Sequence, residues 1–243
     1  MSKTRLLLWD PILAAVLLTR LPMPRLPDAA IEFQARAVWS YPLVGLLVGG
    51  LAACVGLLSA NLGEGISAGL TLTVLVLLTD AKHEDGLADA ADGLWGGHDQ
   101  ARRLQIMKDS RIGAYGVLAL IVVIGLRWQG RALAGTSAIL LAACGSRSIM
   151  GLVMAAVPPA RTDGLSQGVG RPPWLSAMVA LMVAVVLALT LTGPLGLLAL
   201  AIGLAAAFSI AAIAKRKIGG QTGDILGAIQ ILAEVTILLV LVA

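Results

Sequence analysis

Four acids fall within nine residues of the stretch HEDGLADAADG: Glu84, Asp85, Asp89 and Asp92. On an α-helix, residues four and seven apart return to nearly the same face, so Asp85, Asp89 and Asp92 share one face. Glu84 stands about a quarter turn away. Carboxylates crowded on a narrow face repel one another and do not all stay ionised without compensation. A divalent cation is the simplest compensation. Hard oxygen donors suit Mg²⁺ or Mn²⁺, which bind through a few carboxylates together with substrate phosphates. A solvated acidic helix end is the plainer reading. The helical phasing, in a chain that has only 14 acids, favours the metal. Asp80 is a possible fourth ligand or a helix-end residue, and His98 reads as a loop residue. His83 lies nearly opposite Asp85 on a regular helix and becomes a candidate base only if the helix starts after it. Gly86, Gly93, Gly96 and Gly97 leave room for a ligand to approach the backbone.

Two further polar blocks extend the chemistry. In DQARRLQIMKDSRIGAYG, Asp99 can cap a helix whose apolar Leu104, Met107 and Ile112 alternate with basic residues. Such a helix suits a membrane surface, and Lys108 and Arg111 are positioned to hold phosphate oxygens. In GGQTGDILGAIQILAEV, Asp224 starts a helix, either as its N-cap or as a further metal ligand. Gln221 and Thr222 beside it, and Arg147, are candidates for substrate binding. Gly227, Gln230 and Glu234 continue along one face into an apolar segment. Glu234 lies about 15 Å into that segment and Arg147 about 16 Å into another. Buried intramembrane charges pair or serve function, so an Arg147–Glu234 ion pair is expected.

The rest of the chain must position these groups, and it is built for lipid. Of 243 residues 58% are hydrophobic and 13% charged, and the mean hydropathy is +0.90. Soluble domains carry roughly a quarter charged residues. Residues 37–63 and 172–214 hold no charge at all. Crossing the hydrocarbon takes about 20 apolar residues, so these runs fit one span and two. The chain is expected to be one all-α, polytopic domain over residues 1–243, with spans near 42–62, 65–81, 112–130, 132–157, 174–192, 195–214 and 225–242. The N-terminal LLLWDPILAAVLLTRLPMP is broken by Asp10-Pro11 and lacks a cleavage pattern, which suggests an uncleaved interfacial or partly inserted helix. Cys54 and Cys144 read as small buried hydrophobes.

Charge orients the bundle. Thirteen of the 18 basic residues fall in the segments 20–41, 82–111, 158–173 and 215–224, against Arg127 and Arg131 on the other side. Basic loops stay inside, so every polar block faces the cytoplasm. The net charge of +4 reflects this topology rather than affinity for nucleic acid.

The blocks TRLPMP, HEDGLADAADG, IMKDSRIGAYG and GGQTGDILGA, in this order, closely resemble the cobalamin synthases, the adenosylcobinamide-GDP ribazoletransferases. Glu84 departs from the pattern, which usually carries an apolar residue there. The resemblance implies a multi-pass enzyme of the bacterial inner membrane that depends on Mg²⁺. Its substrates would be adenosylcobinamide-GDP and α-ribazole or the 5′-phosphate of α-ribazole, and its products GMP and adenosylcobalamin or its 5′-phosphate. On that reading Asp85, Asp89, Asp92 and Asp224 hold the metal, Lys108 and Arg111 hold the diphosphate, and His83 or an aspartate is the base. DAADG also begins the motif of CDP-alcohol phosphatidyltransferases, but Gly96-Gly97 stands where that motif has Ala-Arg. A secondary transporter would place its binding groups at mid-membrane on repeats, and only Arg147 and Glu234 are so placed.

Overall fold

A computed structural model describes residues 7–243. Lys3 and Arg5, two of the basic residues of the N-terminal segment, lie outside the described residues. The longer helices are α1 (Asp10–Leu18), α2 (Tyr41–Leu58), α3 (Glu64–Leu78), α4 (Lys82–Gly96) and α5 (Gln100–Ile106), then α6 (Ala114–Leu133), α7 (Thr136–Ala156), α8 (Trp174–Leu191), α9 (Pro194–Ile218) and α10 (Gly223–Val242), with short helical turns at Asp28–Ile31 and Leu165–Val169. Six of them (α2 and α6 to α10) are long and apolar enough to cross a membrane, and α3 with α4 would make a seventh span broken by a bend of 85°. The chain is a multi-pass helical membrane protein.

α7 is the centre of the bundle, buried along almost its whole length and packed by α2, α8, α9 and α10. Lipid gives no hydrophobic drive between helices, so close approach through small residues matters. At Gly45 of α2, an added Cβ would stand 2.4 Å from the Ala143 carbonyl oxygen of α7. Leu58, Ile121, Leu175 and Met182 point outward, as lipid-facing residues do. Cys144 is buried as expected; Cys54 instead faces outward from α2.

Two local features fix the polar end. The second span stops at Leu78 because Asp80 and Ala81 turn left-handed, with φ of 58° and 52°. Non-glycine residues pay roughly 1–2 kcal/mol for that conformation, and the corner sends α4 off at 85°. Beside it, the nine residues of α1 give about 14 Å of helix, under half the hydrocarbon thickness. Asp10 of α1 is buried and accepts hydrogen bonds from Arg36 at 2.7 and 3.1 Å and from Trp39 at 2.8 Å. The segment after α1 clamps onto the corner, where Arg20 N–H donates to the Leu78 carbonyl at 2.8 Å.

Candidate active site

α4 packs against α10 and α6, and its later turns meet the start of α6 and the end of α9. Its glycines make this possible, and they serve helix contact rather than ligand approach. An added Cβ at Gly86 would meet the Asp224 carbonyl at 3.0 Å, and one at Gly93 would meet Met107 at 2.4 Å. Lys217, near the end of α9, donates to the Leu94 carbonyl at 2.7 Å. Asp99 caps α5 as expected, accepting from the Arg102 N–H at 2.8 Å. From α5, Gln100 reaches the Ile218 carbonyl at 3.0 Å and Arg103 the Lys217 carbonyl at 3.2 Å. Part of the basic block therefore closes the C-terminal end of α9.

The three phased aspartates meet different surroundings. Asp92 is buried, and its two oxygens accept the N–H groups of Gly113 at 2.7 Å and Gly116 at 3.0 Å. It therefore anchors the N-terminal end of α6, where a negative charge is favoured. Asp85 is exposed and Asp89 half-buried. Burial, and then the charges of Asp85, Asp224 and Asp92, push the Asp89 carboxyl up to about 7. His83 lies inside the helix, not before it, so the condition for its role as base is not met. It is buried, and burial and the charge of Arg147 hold its imidazole neutral.

The second polar block is a structural start for α10. Thr222, not Asp224, is the N-cap, its hydroxyl oxygen accepting from the Ile225 N–H at 3.3 Å. The same hydroxyl donates to Asp224 at 3.1 Å. Gln221 pairs through its backbone with Pro158 and Ala160. Both side chains are buried, and the Gln221 Oε1 has no hydrogen-bond partner among the described residues. Asp224 remains accessible and is met by Arg161 at 3.3 Å. Arg161 is thus the arginine nearest the α10 carboxylate. It lies 3.7 Å from Asp163, whose carboxyl is held below its usual range by a hydrogen bond from Lys108. Lys108 is therefore joined to the site through Asp163. Arg111 is exposed and bound to Asp109 at 2.7 Å.

Deeper in the bundle stands an ionic junction that the sequence reading did not anticipate. Arg127 and Arg131 are not loop residues of the far side. Both are buried in α6, because α6 continues to Leu133. Arg127 binds Glu84 and also Glu234, the latter at 3.0 Å, and Arg131 binds Glu234. Gln230 donates to Glu234 at 2.9 Å. The expected Arg147–Glu234 pair is present only as a long contact of 3.9 Å, and Arg147 spends its closest hydrogen bond, at 2.9 Å, on the Ala143 carbonyl. The spacing of Arg127 and Arg131, one turn apart on the face turned to Glu234, was the available signal.

A cavity of about 270 Å³ opens at the junction of α1, α2, α4, α7 and α10. His83, Asp85, Arg161 and Asp224 form its polar wall, while Tyr41, Met150, Met154 and Val169 belong to its apolar wall. Carboxylates from the first half of the chain and from its last helix thus face one space. Among the described residues, no three His, Cys, Asp or Glu side chains stand close enough together to hold a metal ion by themselves. The donor chemistry nevertheless fits a hard cation. Asp85, Asp89 and Asp224 supply only oxygen, and the Asp89 carboxyl is raised by neighbouring negative charge that a cation would relieve. Mg²⁺ keeps several waters and completes its shell with substrate phosphates, so it does not require a closed protein cage.

Fold and site together define a multi-pass membrane protein with a carboxylate-walled cavity at one end of its bundle. The chain belongs to the cobalamin-5-phosphate synthase family, whose model matches residues 10–242. An adenosylcobinamide-GDP ribazoletransferase of Bradyrhizobium diazoefficiens is 44% identical, over 96% of this chain and 93% of its own length. Proteins of the same name from Mesorhizobium japonicum and Rhizobium meliloti are 41% and 40% identical, over 97% and 95% of this chain and 93% and 95% of their own. No solved structure matches. The family favours neither the phosphatidyltransferase nor the transporter alternative.

Proposed function

We propose that the chain is an adenosylcobinamide-GDP ribazoletransferase working at the cytoplasmic face of a bacterial inner membrane. It transfers the adenosylcobinamide-phosphate group to α-ribazole, or to its 5′-phosphate, and releases GMP. The observation that carries this reading is the meeting of Asp85 of α4 and Asp224 of α10 on one cavity beside Arg161. The concentration of basic residues on the segments around it supports the cytoplasmic orientation.

In the transfer, a hydroxyl oxygen of the acceptor bonds to the cobinamide-side phosphorus. The bond from that phosphorus to the bridging oxygen breaks, GMP leaves with that oxygen, and the hydroxyl proton passes to a base. Such chemistry needs positioning and charge stabilisation more than covalent help from the protein. Arg161, with Lys108 behind it, offers positive charge to the diphosphate oxygens. Mg²⁺ held by Asp85, Asp89 and Asp224 would supply further neutralisation of the diphosphate. His83 accepts a proton poorly, because burial and the charge of Arg147 lower its proton affinity, whereas an aspartate facing the cavity is placed for the task.

The test is Asp89→Asn in purified protein. It is expected to fold normally and to release no GMP from adenosylcobinamide-GDP at saturating Mg²⁺. Near-normal turnover would contradict the assignment.

A further inference from the structure

The cavity has two chemically different walls, and one ligand must satisfy both. Tyr41, Met150 and Met154 are almost fully buried and contribute the ring and the thioethers of the apolar wall. Thioethers adapt to, and favour, flat aromatic partners. The opposite wall carries Asp85 and Asp224, which accept hydrogen bonds from hydroxyl groups. The volume of about 270 Å³ is at the small end of pockets for a single drug-sized ligand. It therefore takes a compact molecule with a flat apolar end and a hydroxylated end. A macrocycle carrying a nucleoside diphosphate exceeds it severalfold and has to stay largely outside, with its diphosphate toward Arg161 of the polar wall.

We infer that this cavity is the acceptor site: the base of the attacking nucleoside lies against Tyr41, Met150 and Met154, and its sugar hydroxyls face Asp85 and Asp224. The assignment rests on the proposed transferase reading and adds to it the division of the site between the two substrates. Specificity for the base is then set by α7 and α2, not by the polar loops. A hydrophobic wall discriminates by shape, and a methylene too many or too few changes selectivity about tenfold or more.

The experiment measures GMP release by Met154→Trp, which fills the cavity, and by Met154→Ala, which enlarges it. KM is determined for α-ribazole and for adenosylcobinamide-GDP separately, each with the other saturating. Met154→Trp is expected to raise KM for α-ribazole about tenfold or more, with KM for adenosylcobinamide-GDP essentially unchanged. Met154→Ala cannot overpack but leaves a cavity, so a melting temperature measured for each variant separates the effect from misfolding. Met154→Ala is expected to raise the same KM about tenfold or more and to improve turnover of nucleosides with a bulkier base. A rise in KM for adenosylcobinamide-GDP instead, or no change in either, overturns the assignment while leaving the transferase intact. If the wild-type protein releases no GMP, the transferase reading itself falls.

Discussion

Arg127 and Glu84, 43 residues apart, form a buried ion pair inside the bundle. The same guanidinium also donates to Glu234 at 3.0 Å. One side chain of α6 thus joins the residue next to Asp85 to the helix that carries Asp224. The two halves of the carboxylate site are tied together below the cavity they share. Removing Arg127 would leave Glu84 with no partner among the described residues. Breaking a buried pair in this way costs about 3–5 kcal/mol. Arg127→Leu is therefore expected to lower the unfolding midpoint in detergent strongly. The double variant Glu84→Leu, Arg127→Leu should recover part of that loss, because no uncompensated carboxylate remains. A coupling of about 1–3 kcal/mol is expected from the cycle; additive losses would show that the pair is not a unit.

Asp92 separates structure from catalysis on the same helix. Its carboxylate satisfies two N–H groups at the start of α6, and stranding such groups costs about 1–3 kcal/mol. Asp92→Ala should lower thermal stability by that amount while the folded fraction binds Mn²⁺ with unchanged affinity. Asp89→Asn should show the reverse pattern. Equal losses of Mn²⁺ affinity in both would return Asp92 to the metal site.

The spans were legible because the charge-free runs are longer than the hydrocarbon is thick. The phasing of Asp85 and Asp89 was legible because three- and four-residue spacing has one helical meaning. What escaped was whatever a second helix decides. Charge normally marks a loop and so suggests a break beside Arg131, yet the bundle supplies Glu234 and the break falls at Ala134–Gly135. Gly86 looked like room for a ligand, since spacing does not reveal that α10 fills that room. Asp92 matched its neighbours in phase, and only the position of Gly113 and Gly116 sets it apart.

The charge of Asp89 gives a pH dependence whose sign is fixed. Its carboxyl is raised to about 7 by burial and by neighbouring carboxylates. The folded state therefore binds a proton there more tightly than the unfolded chain does. This contribution to stability is complete below the ordinary carboxyl range and is lost as pH rises through about 7. Without added metal, the wild-type protein should melt at a lower temperature at about pH 8 than at about pH 6. Mg²⁺ should restore the loss at the higher pH, and Asp89→Asn should flatten the difference. Thermal melts at the two pH values, with Mg²⁺ and with EDTA, check all three. A wild-type protein more stable at the higher pH in EDTA would refute the placement of this charge.

The corner at Asp80–Ala81 offers the last test, because strain there and the direction of α4 have one cause. Ala81 has a φ of 52° just before α4, and Asp80 before it a φ of 58°. Glycine adopts that conformation without the Cβ penalty, so Ala81→Gly is expected to stabilise the protein by about 1 kcal/mol, seen as a higher melting temperature. A β-branched residue is poorly tolerated at positive φ. Ala81→Val should therefore lower the melting temperature and, by shifting the start of α4, reduce the rate of GMP release. The exposed Arg20–Asp80 pair at 2.9 Å on the same corner should contribute little, since surface ion pairs are worth about 0–1 kcal/mol. Arg20→Gln is accordingly expected to leave stability and turnover near wild type. If Ala81→Gly destabilises while Arg20→Gln abolishes turnover, the corner is held by its ion pair and not by the backbone.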